Sequence, residues 1–223
     1  MVEEISKPAA VFFDWDGTLV DSFAFLHAAH NYTRAQFGYE PFSLEAFEGY
    51  FGQPREKLYV EIYGAENVEV AKIYFEKYVI ENQAEGLKPV PGAQNLLEVM
   101  RSFGVPCGVV TNKKKELVMR EIEHYGWEDF FTSVVGAGEA DADKPSSAPL
   151  LMGIERADLT HLSMQDIWLV GDTDNDLLCA NRAGCKTILI CEQTKSVDLL
   201  ANYDVNLYKE NCQELADFLL QSD

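Results

Sequence analysis

The chain has 223 residues, with 37 Asp or Glu against 18 Lys or Arg, and its formal net charge at pH 7 is −19. A hydrophobic content of 47% excludes a disordered or fibrous chain, while the excess of acid argues against a nucleic acid or an anionic membrane surface as partner. No apolar run approaches the roughly 18 residues of a membrane-spanning helix. The start of the chain, MVEEISKP, lacks a basic leader, and the five cysteines show no C-x-x-C spacing. We therefore expect a cytoplasmic protein with reduced thiols, and the sequence leaves monomer or homodimer open.

The first predicted element is a buried strand, Ala9–Phe13, which runs directly into Asp14-Trp-Asp16-Gly-Thr18. Two carboxylates this close together could act as a nucleophile at phosphorus and as a proton shuttle. The glycine between Asp16 and Thr18 lets the backbone approach a ligand closely. The alternative is a turn in which these residues satisfy only backbone groups.

Residues 22–86 have a different texture, with aromatic residues at helical spacing and no buried-strand run. They predict a small module of about four helices whose aromatics form its own core. The segment Gly86–Gly92 carries the Pro and Gly expected at a domain boundary. We therefore predict an α/β core of residues 1–21 and 87–223 and an inserted helical cap of residues 22–86.

From Ala93 onward, short apolar runs alternate with helical patterns, which is typical of a parallel sheet with right-handed crossovers. The runs predicted as strands are Pro106–Val110, Thr132–Val135, Asp166–Val170, Lys186–Ile190 and, more weakly, Tyr203–Leu207. The helices predicted between them are Ala93–Phe103, Lys114–Tyr125, Ser147–Ala157 and Asp174–Ala183. The predicted fold class is α/β, a Rossmann-like parallel sheet core with an inserted small α-helical cap domain.

Polar residues follow three more of these runs. Thr111, Asn112 and Lys113 stand at a strand–helix junction, where a hydroxyl and backbone N–H groups can hold phosphate oxygens. Lys144 precedes a proline in a loop and could offset anionic charge, and Asp172 suits Mg²⁺ as a hard oxygen ligand. Taken singly, the cluster from Thr111 to Lys113 also fits ordinary capping of the helix that follows, and Lys144 also fits an ordinary loop residue.

Parallel strands end at one edge of their sheet, so Asp14, Asp16, Thr111, Lys144 and Asp172 should converge there. Like charges ~4 Å apart repel by about 4 kcal/mol at an effective dielectric of 20. Converging acids therefore need the lysine and a divalent cation to offset their charge. A site that binds a metal ion together with a phosphate group is the simplest explanation of all these residues.

The order of these clusters resembles the haloacid-dehalogenase-like (HAD) hydrolase superfamily, most of all its phosphoglycolate-phosphatase-like branch with a helical cap. The motifs that carry the resemblance are Asp14-x-Asp16-Gly-Thr, Thr111-Asn112, Lys144-Pro145 and Gly171-Asp172-x-x-x-Asp176, and it covers essentially the whole chain. It implies a HAD fold and a Mg²⁺-dependent phosphatase for a small phosphorylated metabolite, phosphoglycolate-like or a sugar phosphate, acting through an aspartyl-phosphate.

The resemblance also implies roles for single residues. Asp14 would be the nucleophile, and Asp16 would protonate the leaving alcohol and later activate water. Thr111 and Lys144 would complete the catalytic set; Asn112, Thr18, Lys113 and Arg55 are candidate substrate-binding residues; and Mg²⁺ would bind Asp14, the carbonyl of Asp16, and Asp172. Asp176 would lie just outside the metal's ligands and orient a metal-bound water or Lys144.

Some of these residues separate subtypes of the family. Asp16 favours phosphate chemistry over dehalogenation, because displacing halide needs no proton donor. Arg55 could pair with a second anionic group of the substrate, such as a carboxylate, and it fits a solvated surface arginine equally well. Trp15 fills a position where the family often has a smaller aliphatic residue.

Three other functions stay open at this point. A capped phosphomutase would use the same pair, Asp14 and Asp16, and a non-catalytic binding protein could keep the fold. A signalling receiver domain also combines Asp, Thr and Lys at strand ends. Receivers have about half this length, however, and their Lys motif comes last.

Overall fold

A computed structural model describes residues 5–50, 53 and 55–221 of the chain. These residues divide into two compact units, of which one runs up to Val20 and resumes at Pro89, and the other spans Asp21–Lys88. We call them the sheet unit and the helical unit. The role of the helical unit as a cap stays a prediction.

The strands in chain order are β1 (Ala10–Phe13), β2 (Val20–Asp21), β3 (Lys88–Pro89), β4 (Cys107–Val110), β5 (Phe131–Val135), β6 (Ile167–Gly171), β7 (Lys186–Ile190) and β8 (Leu207–Lys209). Six of them form one sheet in the order β5-β4-β1-β6-β7-β8, and every neighbouring pair is parallel. β2 and β3 form a separate two-stranded sheet.

The helices in chain order are α1 (Phe23–Gln36), α2 (Leu44–Glu48), α3 (Arg55–Tyr63), α4 (Val68–Gly86), α5 (Ala93–Ser102), α6 (Lys115–Tyr125), α7 (Ala148–Arg156), α8 (Asp174–Ala183), α9 (Gln193–Asn202) and α10 (Cys212–Gln221). The first four belong to the helical unit and the rest to the sheet unit. None of the helices in the described part of the chain is long and apolar enough to cross a membrane.

The central strand β1 is buried along its whole length, because it lies between β4 and β6. A strand covered on both faces must be apolar at every position, which explains the uninterrupted sequence Ala-Val-Phe-Phe. The crossover helices supply covering residues, as in α7, whose buried Leu150 and Ile154 belong to the same apolar cluster as Ala10 and Phe12 of β1. The predicted α/β class with a parallel sheet is confirmed.

The last predicted strand, Tyr203–Leu207, is placed wrongly. In the structure α9 ends at Asn202 and β8 begins only at Leu207, where it pairs with Ile188 of β7. β8 is an edge strand whose three residues are all only partly buried. Its apolar pattern is therefore weak, and its position is determined by pairing with β7.

The helical unit has its own aromatic core. Among the aromatics at helical spacing in residues 22–86, Phe25, Phe47, Tyr59, Tyr63 and Phe75 are buried, and Tyr32, Phe37, Tyr74 and Tyr78 are partly buried. A histidine at position 30 packs among them, with one ring nitrogen 2.8 Å from the hydroxyl of Tyr63.

The register of the sheet brings the ends of β1, β4 and β6 together. Phe13 pairs with Val109 on one side and with Val170 on the other. The ladder continues one residue further, because the backbone N–H of Asp14 donates to the carbonyl of Val170 at 2.9 Å. The residues that follow these three strands therefore share one edge.

Candidate active site

Asp14 and Lys144 form a buried ion pair at this edge. The ammonium nitrogen of Lys144, whose side chain is 2% exposed, donates to Oδ1 of Asp14 at 2.7 Å and to Oδ1 of Asp176 at 2.6 Å. Burial alone would lower the pKa of Lys144, but the two carboxylates raise it above its ordinary value. The lysine is therefore a fixed positive charge between two acids.

Three carboxylates meet around this lysine. One oxygen each of Asp14, Asp172 and Asp176 lie within 4.8 Å of one another. Burial raises the pKa of Asp14 to about 7 despite the opposing effect of Lys144, and burial together with Asp14 and Asp176 raises the pKa of Asp172 well above its ordinary value. One ammonium cannot balance three carboxylates, and the donors are hard oxygens, so this set fits a bound divalent cation such as Mg²⁺.

Asp172 and Asp176 differ in how their oxygens are occupied. Asp176 accepts from Lys144 through Oδ1, and its Oδ2 accepts from the backbone N–H and the hydroxyl of Thr173 at 3.0 and 2.7 Å. The bonds with Thr173 form a capping box that starts α8, so that together with the bond from Lys144 both carboxylate oxygens of Asp176 are engaged. Asp172 accepts from the hydroxyl of Thr18 at 3.0 Å. The arrangement favours Asp172 as the ligand and Asp176 as the residue that orients Lys144.

Gly17 makes the close approach of Asp172 possible. Its φ of +87° lies in the left-handed region, and a Cβ placed there would stand 2.3 Å from Oδ2 of Asp172. The turn is closed by the N–H of Gly17, which donates to the carbonyl of Val20 at 2.8 Å. Thr18 is fully buried in this turn with its hydroxyl on Asp172, and its predicted role in substrate binding stays a prediction.

Thr111 and Asn112 come directly after β4, where the sequence places them, and their part in phosphate binding stays a prediction. Thr111 is buried, and its hydroxyl oxygen accepts from the backbone N–H of Lys113 at 3.1 Å. The side chain of Asn112 makes two hydrogen bonds to the backbone of Lys144: its amide donates to the carbonyl and its oxygen accepts from the N–H, both at 3.0 Å. Asn112 thus joins the loop after β4 to the loop that carries the active-site lysine.

Lys113 lies between two carboxylates, one of which the sequence motifs missed. Its ammonium is 3.0 Å from Oδ1 of Asp16 and 2.7 Å from Oε1 of Glu121, and the indole N–H of Trp15 donates to Oε2 of Glu121 at 2.6 Å. A signal for Glu121 exists in the sequence, since it lies four residues after Leu117 on the buried face of α6. A charge at an apolar helical position predicts a buried partner.

Arg55 begins α3 in the helical unit. Its side chain, together with residues 51, 52 and 54 of the same segment, lies outside the described residues. Its part in substrate binding therefore stays a prediction.

An aspartate pair after the central strand, with a lysine and further acids at the same edge, is the arrangement expected of an enzyme built on a Rossmann-like parallel sheet. The family described as haloacid dehalogenase-like hydrolase matches residues 11–190, and the chain belongs to this family. The predicted family is confirmed, and with it the expectation of an enzyme over a binding protein.

Relatives with known names are similar over most of their length. A phosphoglycolate phosphatase of Chromobacterium violaceum is 30% identical over 213 residues, which cover 89% of this chain and 94% of that protein. A phosphoglycolate phosphatase of Aquifex aeolicus is 32% identical over 183 residues, or 80% and 83% of the two chains. A solved haloacid dehalogenase-like hydrolase of Streptococcus pneumoniae, 23% identical, superposes with a TM-score of 0.79 over 94% of this chain and 97% of that one, which shows the common fold.

Proposed function

We propose that the protein is a Mg²⁺-dependent phosphatase that hydrolyses a small phosphomonoester, phosphoglycolate-like or a sugar phosphate, through an aspartyl-phosphate on Asp14. The observation that carries this proposal is the buried ion pair of Asp14 with Lys144, which shares its edge of the sheet with Asp172. The similarity to phosphatases over most of the chain supports the reaction class. The five cysteines of the chain are free and buried, which supports the reducing cytoplasm as the compartment of the protein.

The chain's own residues account for both halves of the reaction. Attack by a carboxylate oxygen of Asp14 forms the new bond to phosphorus, and the bond from phosphorus to the leaving alcohol breaks. Asp16 gives its proton to the leaving oxygen. It then takes a proton from the water that attacks the phosphoryl group, so that inorganic phosphate leaves and Asp14 is restored.

The remaining groups handle charge. The carboxylates of Asp14 and Asp172 and the backbone carbonyl of Asp16 would hold Mg²⁺, which when bound supplies positive charge to the phosphoryl oxygens. Lys144 adds a fixed ammonium beside the nucleophile. The hydroxyl of Thr111 and the backbone N–H of Asn112 are the donors proposed for the phosphoryl oxygens.

The test is release of inorganic phosphate by the purified protein with Mg²⁺. The panel comprises phosphoglycolate, sugar phosphates, an N-acetylmuramate phosphate, nucleotides and pyrophosphate. We expect turnover of at least one small phosphomonoester, its loss with EDTA, and its abolition by Asp14→Asn, because the amide cannot act as the nucleophile. Asp172→Asn should strongly reduce turnover at low Mg²⁺.

Asp174→Asn is the matched control, because Asp174 is an exposed acid two residues from Asp172, and this variant should keep full activity. A protein that releases no phosphate from any member of the panel contradicts the proposal. Isomerisation of a sugar phosphate without net release of phosphate would identify a mutase instead.

A further inference from the structure

Beside the ion pair of Asp14 lies a second buried cluster, which we call the Glu121 cluster. It consists of Trp15, Glu121, Lys113 and Asp16. Hydrogen bonds and ion pairs connect its members in that order, from the indole N–H to the carboxylate of Asp16. Lys113 and Glu121, which lie far from Asp16 in the chain, are thereby linked to this second aspartate of the catalytic motif.

The cluster is almost closed to solvent. Trp15 is fully buried, and the side chains of Glu121 and Lys113 are 2% and 6% exposed. The ring of Trp15 is held by edge-to-face contacts with Trp127 and Phe131, at centroid distances of 6.0 and 6.1 Å. The indole N–H is thus fixed in the direction of Glu121, and it fixes Glu121 in turn.

This arrangement is poorly explained by stability alone. Burying an ion pair removes two charges from water, and an apolar packing of the same volume is often at least as stable. The one member with appreciable exposure is Asp16, at 17% of its side chain, the group that must exchange a proton in the proposed reaction. The buried members of the cluster are held by hydrogen bonds and ring contacts, and the accessible member, Asp16, is the one that performs the proposed proton transfer.

We propose that Glu121 and Trp15 are positioning residues for Asp16, and that they act through Lys113. The ammonium of Lys113 binds Oδ1 of Asp16 at 3.0 Å and thereby fixes the orientation of the carboxylate. Glu121 keeps that ammonium in place, and Trp15 keeps Glu121 in place. This inference rests on the proposed phosphatase function.

A misplaced proton donor has a characteristic kinetic effect. Proton donation matters most when the leaving oxygen is strongly basic, as in an alkyl phosphate, and little when it is weakly basic, as in p-nitrophenyl phosphate. The ratio kcat/KM reports the steps up to departure of the alcohol. Loosening Asp16 should therefore lower kcat/KM selectively for alkyl phosphates and steepen its dependence on the basicity of the leaving group.

The experiment compares wild-type protein with Glu121→Gln on aryl and alkyl phosphates of graded leaving-group pKa. The glutamine has a single oxygen for both Trp15 and Lys113, so the ammonium loses one of its carboxylate partners. General acid catalysis contributes roughly 10²–10⁴-fold, and partial misplacement should cost on the order of tenfold in kcat/KM for the alkyl substrates. For p-nitrophenyl phosphate the change should stay below about threefold. Glu123→Gln, an exposed acid on the same helix, should match wild type on every substrate.

Two features keep the outcome clear. The ratio between two substrates measured on one sample does not depend on how much of the variant is folded, and Trp15→Phe offers a milder variant that should shift the ratio in the same direction. Asp16→Asn shows how far kcat/KM for alkyl phosphates falls when the acid is lost completely.

If wild type turns over no phosphomonoester, the proposed function fails. If wild type is active and Glu121→Gln lowers kcat/KM equally for all leaving groups, the positioning role is wrong and the cluster is structural.

Discussion

The backbone at Gly17 has a φ of +87°, and a Cβ there would lie 2.3 Å from a carboxylate oxygen of Asp172. Two separate restrictions therefore act on one residue. The left-handed conformation disfavours any side chain, and the nearest atoms belong to a proposed Mg²⁺ ligand. The first restriction concerns stability, and the second concerns the site.

The change Gly17→Ala should separate these two effects. We expect the strained conformation to lower the free energy of unfolding by about 1–2 kcal/mol, and the displaced Asp172 to raise the Mg²⁺ concentration needed for half-maximal phosphate release. Urea unfolding and a Mg²⁺ titration of activity measure the two quantities.

Gly104→Ala is the control, since Gly104 has a φ of +68° and, among the described residues, no atom outside the glycine and its two chain neighbours lies within 4 Å of an added Cβ. It should lose stability to a similar degree and keep the wild-type Mg²⁺ titration. Identical titrations for both variants would show that the contact with Asp172 does not matter to the metal.

How far the sequence predicts the site also differs from residue to residue. The convergence of Asp14 and Asp172 follows from the rule that parallel strands end at one edge, because each comes at the end of a recognisable apolar run. Lys144 lies further along, in the loop after the run Thr132–Val135. Glu121 could not be assigned in this way. Its contacts with Trp15 and Lys113 depend on how α6 packs within the sheet unit, and no local pattern encodes that packing.

Among whole elements, the four interior strands of the large sheet were predictable from burial alone. β1, β4, β6 and β7 are buried at nearly every position, so their sequences read as continuous apolar runs. The edge strand β8 is only partly buried, and its pairing with β7 rather than its composition determines where it starts. Contacts between two loops produce no repeating hydrophobic pattern in the sequence, so they cannot be predicted from it.

The double hydrogen bond from Asn112 to the backbone of Lys144 is such a contact, and it joins two segments 32 residues apart. Asn112→Ala leaves a partly buried N–H and carbonyl without their partner, which should cost about 1–3 kcal/mol of unfolding free energy. Because Lys144 is then less firmly held beside Asp14, kcat should fall as well. Urea unfolding and steady-state kinetics on the best substrate test both expectations.

The comparison variant is Asn202→Ala, at an exposed position where the amide donates to the carbonyl of Asp198 in its own helix. A surface change of this kind should stay within about 0.5 kcal/mol. If Asn112→Ala is equally mild in stability and in kcat, the junction of the two loops does not hold the lysine.

For the molecule as a whole, the net charge of −19 and the buried acids of the site affect different properties. Most of the excess charge lies on solvated side chains, where it affects solubility and encounter with other polyanions. The carboxylates of the site are desolvated instead, and their protonation is linked to folding. This linkage gives the protein a pH dependence that Mg²⁺ should change.

Burial raises the pKa of Asp14 from its ordinary value of 3.8 to about 7 in the metal-free protein. The folded state therefore keeps this proton over a range where the unfolded chain has lost it. The contribution of Asp14 to stability is fully present below about pH 4, falls as the pH rises to about 7, and is constant above that. Mg²⁺ binds the ionised carboxylates, so its stabilising effect should grow over the same range.

Thermal unfolding at pH 5.5 and pH 8, with EDTA or with Mg²⁺, measures this effect. At 100 times its Kd a ligand stabilises by about 2.7 kcal/mol, which for a chain of this size corresponds to a rise in Tm of roughly 5–10 °C. We expect that rise at pH 8 and a much smaller one at pH 5.5, with Asp172→Asn removing it and the exposed Asp174→Asn keeping it. A Mg²⁺ shift of equal size at both pH values, or one that survives Asp172→Asn, would mean that the cation binds elsewhere on this acidic molecule.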